Sequence, residues 1–131
     1  MKILSIKTDN PIAEIGIWED TVNKDTLSWE GHRQLANTIH LQLKELLMKN
    51  FLKWEDIDAI VVYKGPGSFT GLRIGISVAN ALAMSLHIPI NSVAGGDEWA
   101  KLAINEILAG KDEKIAVPEY GSEAFTTLPK K

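Results

Sequence analysis

The sequence predicts an α/β domain built on a mixed sheet, and three observations carry that prediction. Residues 3–29 break into short apolar alternations separated by turn residues, "AIVVY" at 59–63 is an almost continuous apolar run, and two long stretches beginning near His32 and Thr70 switch to helical spacing. With 131 residues and 45% hydrophobic composition, the chain has the material for one compact domain and not for two.

The elements follow in order. Ile3 to Thr8 reads as a first strand, Asp9-Asn10-Pro11 as a turn, and "AEIGIW" at 13–18 as the second arm of a hairpin. Asp20 and Asn23 to Asp25 supply another turn before "TLSW" at 26–29, so the chain opens as an antiparallel meander. From His32 to about Asn50, Leu35, Ile39, Leu43, Leu46 and Leu47 fall on one helical face. Leu41 and Met48 stand on the opposite flank, either as ordinary exposed residues or as a second contact face. Trp54 to Asp58 reads as a turn, and "AIVVY" as a strand covered on both faces at the centre of the sheet.

After the glycine-rich "KGPGSFTG" a helix is expected from about Thr70 to Leu86, stopping before Ile88-Pro89 because the residue before proline disfavours helical geometry. "PINSV" reads as a short strand. A third helix is expected from about Asp97 to Ala109, with Trp99, Leu102, Ala103 and Ile107 on its apolar side and Gly110 just past its end. The remainder is expected to form a short strand and a loose tail.

Composition narrows the function. The net charge of −3 comes without a lysine and arginine stripe, which argues against a chain that grips nucleic acid alone. No cysteine is present, so disulfides, thiolate metal sites and a cysteine nucleophile are excluded. The opening "MKILSIKTDN" lacks the apolar core of a signal peptide, and the stretch from Ile74 to Ile90 is interrupted by Ser77, Asn80, Ser85, His87 and Pro89, so no membrane segment is predicted and the expected compartment is the cytoplasm.

The glycine segment resists two familiar readings. A P-loop needs G-x-x-x-x-G-K-S/T, and no lysine follows at the required distance from Gly65 or Gly67. A dinucleotide fingerprint needs its third glycine one place earlier and an acid that "PINSV" does not contain. A strand, turn and helix can still present free amides to an anion, with hydroxyls from Ser68 and Thr70. The alternative is a tight turn at Gly65-Pro66-Gly67 with Ser68 capping the helix, and this is the preferred reading.

Inside the helix, Gly71 and Gly75 each cost about 1 kcal/mol relative to alanine, which something must offset. They form a stripe with Ala79 and Ala83, whereas Arg73, Ser77, Asn80 and Met84 make the mainly polar strip. A helix apolar over most of its circumference is expected to be buried from two directions, against its own sheet and against either another helix of the chain or another molecule.

The run Gly65-Pro66-Gly67-Ser68-Phe69-Thr70-Gly71-Leu72-Arg73-Ile74-Gly75, with "ILSIKT" at the start and His32-Arg33-Gln34-Leu35 opening the first helix, resembles the TsaB (YeaZ) family of bacterial proteins, over about residues 2–109. The resemblance implies a single lobe of the actin-like and ribonuclease-H-like kind over residues 1–118, followed by a tail at 119–131. Pro118 and Tyr120 match a Pro-x-Tyr near the family's C-terminus, which implies that nearly all of the second lobe is skipped.

The resemblance further implies a non-catalytic scaffold of the apparatus that makes threonylcarbamoyladenosine in tRNA. The partners implied are a TsaD-like catalytic subunit and a TsaE-like ATPase, with tRNA reached only through the complex and a homodimer left open. The complex would transfer threonylcarbamoyl to adenosine 37 of tRNAs that read ANN codons, using ATP and magnesium that this chain alone does not hold. The implied partner interface comprises Leu41, Met48, Gly71, Arg73, Gly75, Ala79 and Ala83. Where the family's first strand carries Asp-Thr-Ser, this chain has Lys7-Thr8-Asp9, which puts a cation in the place of a magnesium-linked carboxylate. The alternative, an autonomous nucleotide-binding or ATPase domain, would use Gly65, Gly67, Ser68 and Thr70.

No catalytic or metal-binding residue is assigned. The catalytic relatives carry His-x-x-x-His, whereas Ser28 precedes His32 and Ala36 precedes His40 at that spacing. His32 and His40 would lie about 12 Å apart along a helix, too far to share an ion. Glu55, Asp56 and Asp58 are explained by turn formation, and no histidine is placed to form a triad with Ser68.

Overall fold

The computed structural model describes residues 1–119. Five strands, β1 (Lys2–Lys7), β2 (Ile12–Glu19), β3 (Val22–Glu30), β4 (Ala59–Gly65) and β5 (Ile90–Ala94), form one sheet in the order β3-β2-β1-β4-β5. The β1–β2 and β2–β3 pairs are antiparallel, and β1–β4 and β4–β5 are parallel. Three helices complete the lobe: α1 (Leu35–Lys49), entered through a 3₁₀ turn at His32–Gln34, α2 (Phe69–Leu86) and α3 (Trp99–Leu108).

Side-chain alternation divides the sheet into two faces. Trp29 donates its indole N–H to Thr38 Oγ1 of α1 (3.0 Å), and Thr8, one residue beyond β1, donates to the Gly71 carbonyl of α2 (2.7 Å). Through the strand register, Ile6, Ile15 and Leu27 line the same face, so α1 and α2 lie side by side on it. On the other face, Asn91 donates to the Ala103 carbonyl of α3 (3.3 Å), and Tyr63 meets Trp99 edge to face with ring centroids 5.7 Å apart.

The central strands β1 and β4 are apolar because both their faces are covered, and Ile3, Leu4, Ile6, Ile60, Val61 and Val62 are all buried. The five apolar residues read onto one face of α1 are all buried there. The third helix is rotated from its expected setting: Leu102 is 54% exposed, and Ala100 and Ile104 join Trp99, Ala103 and Ile107 on the buried side. Seating Trp99 against Tyr63 fixes that rotation and turns Leu102 outward.

No strand forms in residues 111–119, contrary to expectation. This segment is an irregular strap whose main chain is satisfied mainly from outside a ladder. Asn80 accepts from the Ala116 N–H (2.8 Å) and donates to the Ala116 carbonyl (3.0 Å), while the Glu119 N–H reaches the Lys64 carbonyl (2.7 Å). Pro118 has no N–H to offer a neighbouring strand. The expected tail lies outside the described residues beyond Glu119, as does Tyr120.

Helix α2, with 18 residues and a mean hydropathy of 1.3, is the one described helix long and apolar enough to cross a bilayer. Here its small and apolar stripe is seated on the chain's own sheet, with Leu72, Gly75, Ile76, Ala79 and Ala83 buried.

Candidate functional site

Three glycines bring α2 and the turn before it against Thr8 and Asp9, which follow β1, and a fourth brings the end of β4 against the strap. Gly65 has φ of +127°, and a Cβ there would strike the Glu119 carbonyl oxygen of the strap. At Gly67 a Cβ would stand 2.8 Å from the Asp9 carbonyl oxygen. Within α2, a Cβ on Gly71 would enter the Thr8 carbonyl oxygen, and one on Gly75 would enter Thr8 Oγ1. Thr8, only 1% exposed, therefore sits in a notch cut by the two helical glycines and bonds into it through its hydroxyl.

This arrangement corrects the expected interface. Gly75, Ala79 and Ala83 are buried within the chain, and Gly71 is closed off by Thr8, so these four positions are not available to a partner. Small residues at four-residue spacing do mark a close approach, but here the approaching body is the chain's own Thr8. The expected capping role of Ser68 is corrected as well. Ser68 occupies the N-cap position, yet its side chain makes no cap hydrogen bond. Instead its main-chain N–H donates to the Asp9 carbonyl (2.7 Å) and its carbonyl accepts from the Leu72 N–H (2.9 Å), so the turn is held by backbone.

The residues of the alternative nucleotide reading are split by this packing. Gly65 is buried against the strap, while Gly67, Ser68 and Thr70 are exposed at the start of α2. Ser68 and Thr70 line a cavity of ≈ 230 Å³ together with Asn10, His32 and Arg33. Nearby, Lys7 Nζ lies 2.7 Å from Asp9 Oδ1 and 4.7 Å from the centre of the Tyr63 ring. The Asp9 carboxylate at this turn is thus already paired with the cation that the sequence placed there. Among the described residues, no group of three or more histidine, aspartate or glutamate side chains is placed to hold a metal ion.

The solvent side of α1 and α2 has a different character. Leu41 and Met48 on α1 are 66% and 65% exposed, and Met84 on α2 is 68% exposed. Arg73 is also exposed, with its guanidinium 5.4 Å from the centre of the Phe69 ring. Between the helices runs an open groove of ≈ 450 Å³ lined by Ala36, His40, Thr70, Arg73, Ile74, Ser77 and Val78. Leu41, Met48 and Arg73 therefore stand on the surface as expected. His40, Ile74 and Val78 were missed, because their roles depend on the lateral spacing of two helices, which no single helical wheel contains.

Comparison with known proteins agrees with this geometry. The family described as "TsaD: tRNA N6-adenosine threonylcarbamoyltransferase" matches residues 30–101. The chain is 31% identical over 126 residues to the tRNA threonylcarbamoyladenosine biosynthesis protein TsaB of Escherichia coli, spanning 88% of this chain and 52% of that protein. It is 40% identical over 98 residues to the Bacillus subtilis protein of the same name, spanning 72% of this chain and 41% of the relative. The chain thus spans about half the length of the curated relatives it matches. Among solved structures, YeaZ from Pseudomonas aeruginosa superposes with a TM-score of 0.66 at 26% identity, over 71% of this chain and 43% of that one. The Thermus thermophilus RuvC in complex with a Holliday junction substrate shares the fold alone, with a TM-score of 0.52 at 11% identity over 72% of this chain and 64% of its own. The lobe is of the ribonuclease-H-like and actin-like kind.

Proposed function

The chain belongs to the TsaB (YeaZ) family, and from that premise we propose that it is a non-catalytic scaffold in tRNA threonylcarbamoyladenosine biosynthesis, docking a TsaD-like catalytic subunit on the exposed side of α1 and α2. The observation that carries this reading is the surface just described, where Leu41, Met48 and Met84 stay in water on two helices whose other sides are buried. Leu41 and Met48 border one open depression with Lys44, Glu45 and Lys49, and contiguous apolar exposure of this kind marks an interaction surface more often than scattered exposure does. In this reading the ATP and magnesium belong to the assembled complex, together with a TsaE-like ATPase, and the work is done in the cytoplasm on tRNA reached through the partner.

Co-expression with the TsaD-like protein of the same genome tests the proposal, followed by size-exclusion chromatography and an assay of threonylcarbamoyladenosine in tRNA. A stable complex that raises the partner's activity is expected. Absence of both complex and stimulation overturns the scaffold reading, and a mass of twice the chain that Leu41→Asp returns to the monomer, with no hetero-complex, would assign the same surface to a homodimer.

A second reading, an autonomous nucleotide-binding domain, is favoured by one observation, the cavity that meets Ser68 and Thr70 at the start of α2. The Lys7–Asp9 ion pair speaks against it, since the nearby carboxylate is neutralised rather than free for magnesium. Calorimetric titration of the chain with ATP and magnesium separates the two, and tight binding would displace the scaffold reading in favour of this one.

A further inference from the structure

The sheet is covered unequally on the side away from α1 and α2. Helix α3 lies there against β4 and β5, while Thr26 and Ser28 of β3, which by register share that side with Ser5 and Gly16, remain exposed. Between the start of α3 and the open strands lies a cavity of ≈ 190 Å³, bounded on the sheet by Ser5 and Trp18. Trp18 reaches back over Gly16 to donate its indole N–H to Ser5 Oγ (3.0 Å), and a Cβ on Gly16 would stand 3.1 Å from the indole nitrogen. The ring therefore lies along the sheet, half-buried, beside the cavity.

The charge on the walls is acidic. Glu14 enters from β2, and Asp97 and Glu98 from the start of α3. Glu98 is matched by Lys101, 3.4 Å away and the single cation of the lining. The Glu14 and Asp97 carboxylates have no hydrogen bond or ion pair among the described residues. No described group of acids is placed to hold a metal ion, whereas two unpaired carboxylates beside an aromatic face suit a planar organic cation.

We propose that this cavity takes an arginine side chain of a partner protein, its guanidinium stacked on Trp18 and paired with Glu14 and Asp97, with the flanking main chain laid across the exposed side of β3. Charge complementarity names the occupant, since a phosphate backbone or an acidic segment would be repelled here. Size names its source: the cavity is smaller than the roughly 300–1,000 Å³ of sites that enclose a small molecule. The site faces away from α1 and α2, so it goes beyond the scaffold reading, and its test does not depend on that reading.

The test is an NMR titration of the labelled chain with acetyl-Gly-Gly-Arg-Gly-Gly-amide, followed on the Trp18 indole N–H, whose signal is identified by its loss in Trp18→Phe. Saturable shifts are expected with a Kd of about 1 to 10 mM at about 50 mM salt, weakening at about 500 mM. Glu14→Gln and Asp97→Asn are each expected to weaken binding about two- to fivefold, and together by about tenfold or more. Glu45→Gln, on α1, should bind like the parent, and it and Asp97→Asn should melt like the parent because both side chains are exposed. The same peptide with citrulline in place of arginine keeps the shape without the charge, and should not bind.

No saturable shift at Trp18, equal binding of the citrulline peptide, or unchanged binding in the double variant would each overturn the inference. A lysine peptide that binds as well as the arginine peptide would show that charge alone is read and would overturn the stacked guanidinium. Spermidine bound more tightly than the arginine peptide through the same two carboxylates would make the occupant a free polyamine and overturn the protein partner.

Discussion

The two sides of α2 present one helix solving two problems. Toward the sheet, Gly71 and Gly75 remove every side-chain atom so that Thr8 can enter between them. Toward solvent, Arg73, Ser77 and Met84 are exposed, and half-buried Ile74 and Val78 line a groove. The first side is set by excluded volume, the second by what water tolerates and a partner could cover. A stripe of small residues therefore reports that something comes close, without reporting whether it is the same chain or another.

The strongest way to break this comparison is to refill the notch. Gly75→Leu places a branched side chain where Thr8 already lies, and the chain is expected to lose its cooperative unfolding transition by circular dichroism. Gly71→Ala adds one methyl against the Thr8 carbonyl, which is backbone and cannot rotate aside, and is expected to cost about 3 kcal/mol despite the gain in helix propensity. Gly75→Ala meets the Thr8 hydroxyl instead, so it should be partly rescued by Thr8→Ala, with a coupling of about 1 kcal/mol or more between the two sites. Additive effects in that double-mutant cycle would show that the notch is not the constraint described here.

The solvent side should respond in the opposite sense. Met48→Asp is expected to leave stability within about 0.5 kcal/mol of the parent, as exposed substitutions do, while weakening the TsaD-like partner by about tenfold. Equal partner affinity in the two proteins would remove α1 from the interface.

Acid should sharpen the contrast between the neighbouring helices, because α2 meets Thr8 through neutral groups and α1 ends on a carboxylate. Asn50 donates to Asp25 Oδ2 (2.9 Å) and Lys49 Nζ stands 3.6 Å from the same atom. The Asn50 hydrogen bond leads the causes that hold the Asp25 carboxyl below its ordinary 3.8. A depressed carboxylate contributes stability that is present above its unfolded value and lost as pH falls through the lower folded one. Glu106 of α3, held below its ordinary 4.5 first by the Asn91 side chain, follows the same sign. Stability is therefore expected to decline below about pH 4.5, with a shallower decline in Asp25→Asn, which begins less stable at neutral pH. Parallel thermal-melting curves for the two proteins between neutral pH and pH 3 would remove Asp25 from this account.

Much of the fold was legible because its signals are local or periodic. The meander, the buried run at 59–63 and the apolar face of α1 each follow from short-range alternation, and all three are observed. The strap was not legible, since its order comes from Asn80, 36 positions away, reaching the main chain of Ala116. The setting of α3 was misjudged for the same reason: the Tyr63–Trp99 contact decides it, and no pattern within the helix encodes that partner. At the candidate site the sequence exposed Leu41, Met48 and Arg73 correctly, but it assigned the glycines to a partner because Thr8 lies outside the helix that a wheel displays.

The smallest expected effect concerns Ser68, where residue type and observed bonding part company. Serine at an N-cap commonly contributes about 1 kcal/mol by accepting from an amide of the first turn. Here the side chain makes no such bond, and the turn is fixed by the Ser68 N–H on the Asp9 carbonyl, which any residue but proline supplies. Ser68→Ala should therefore change stability by less than about 0.5 kcal/mol, as exposed substitutions without a structural bond do. It should also leave partner binding unaltered, because the backbone that shapes the turn is untouched. Gly67→Ala, one position earlier, should be costly, since its Cβ would press on Asp9. Comparing the two by chemical denaturation isolates backbone packing from capping. A loss near 1 kcal/mol for Ser68→Ala would mean that the hydroxyl caps α2 in solution after all, and the entrance to the helix would then be held by side chain as well as by main chain.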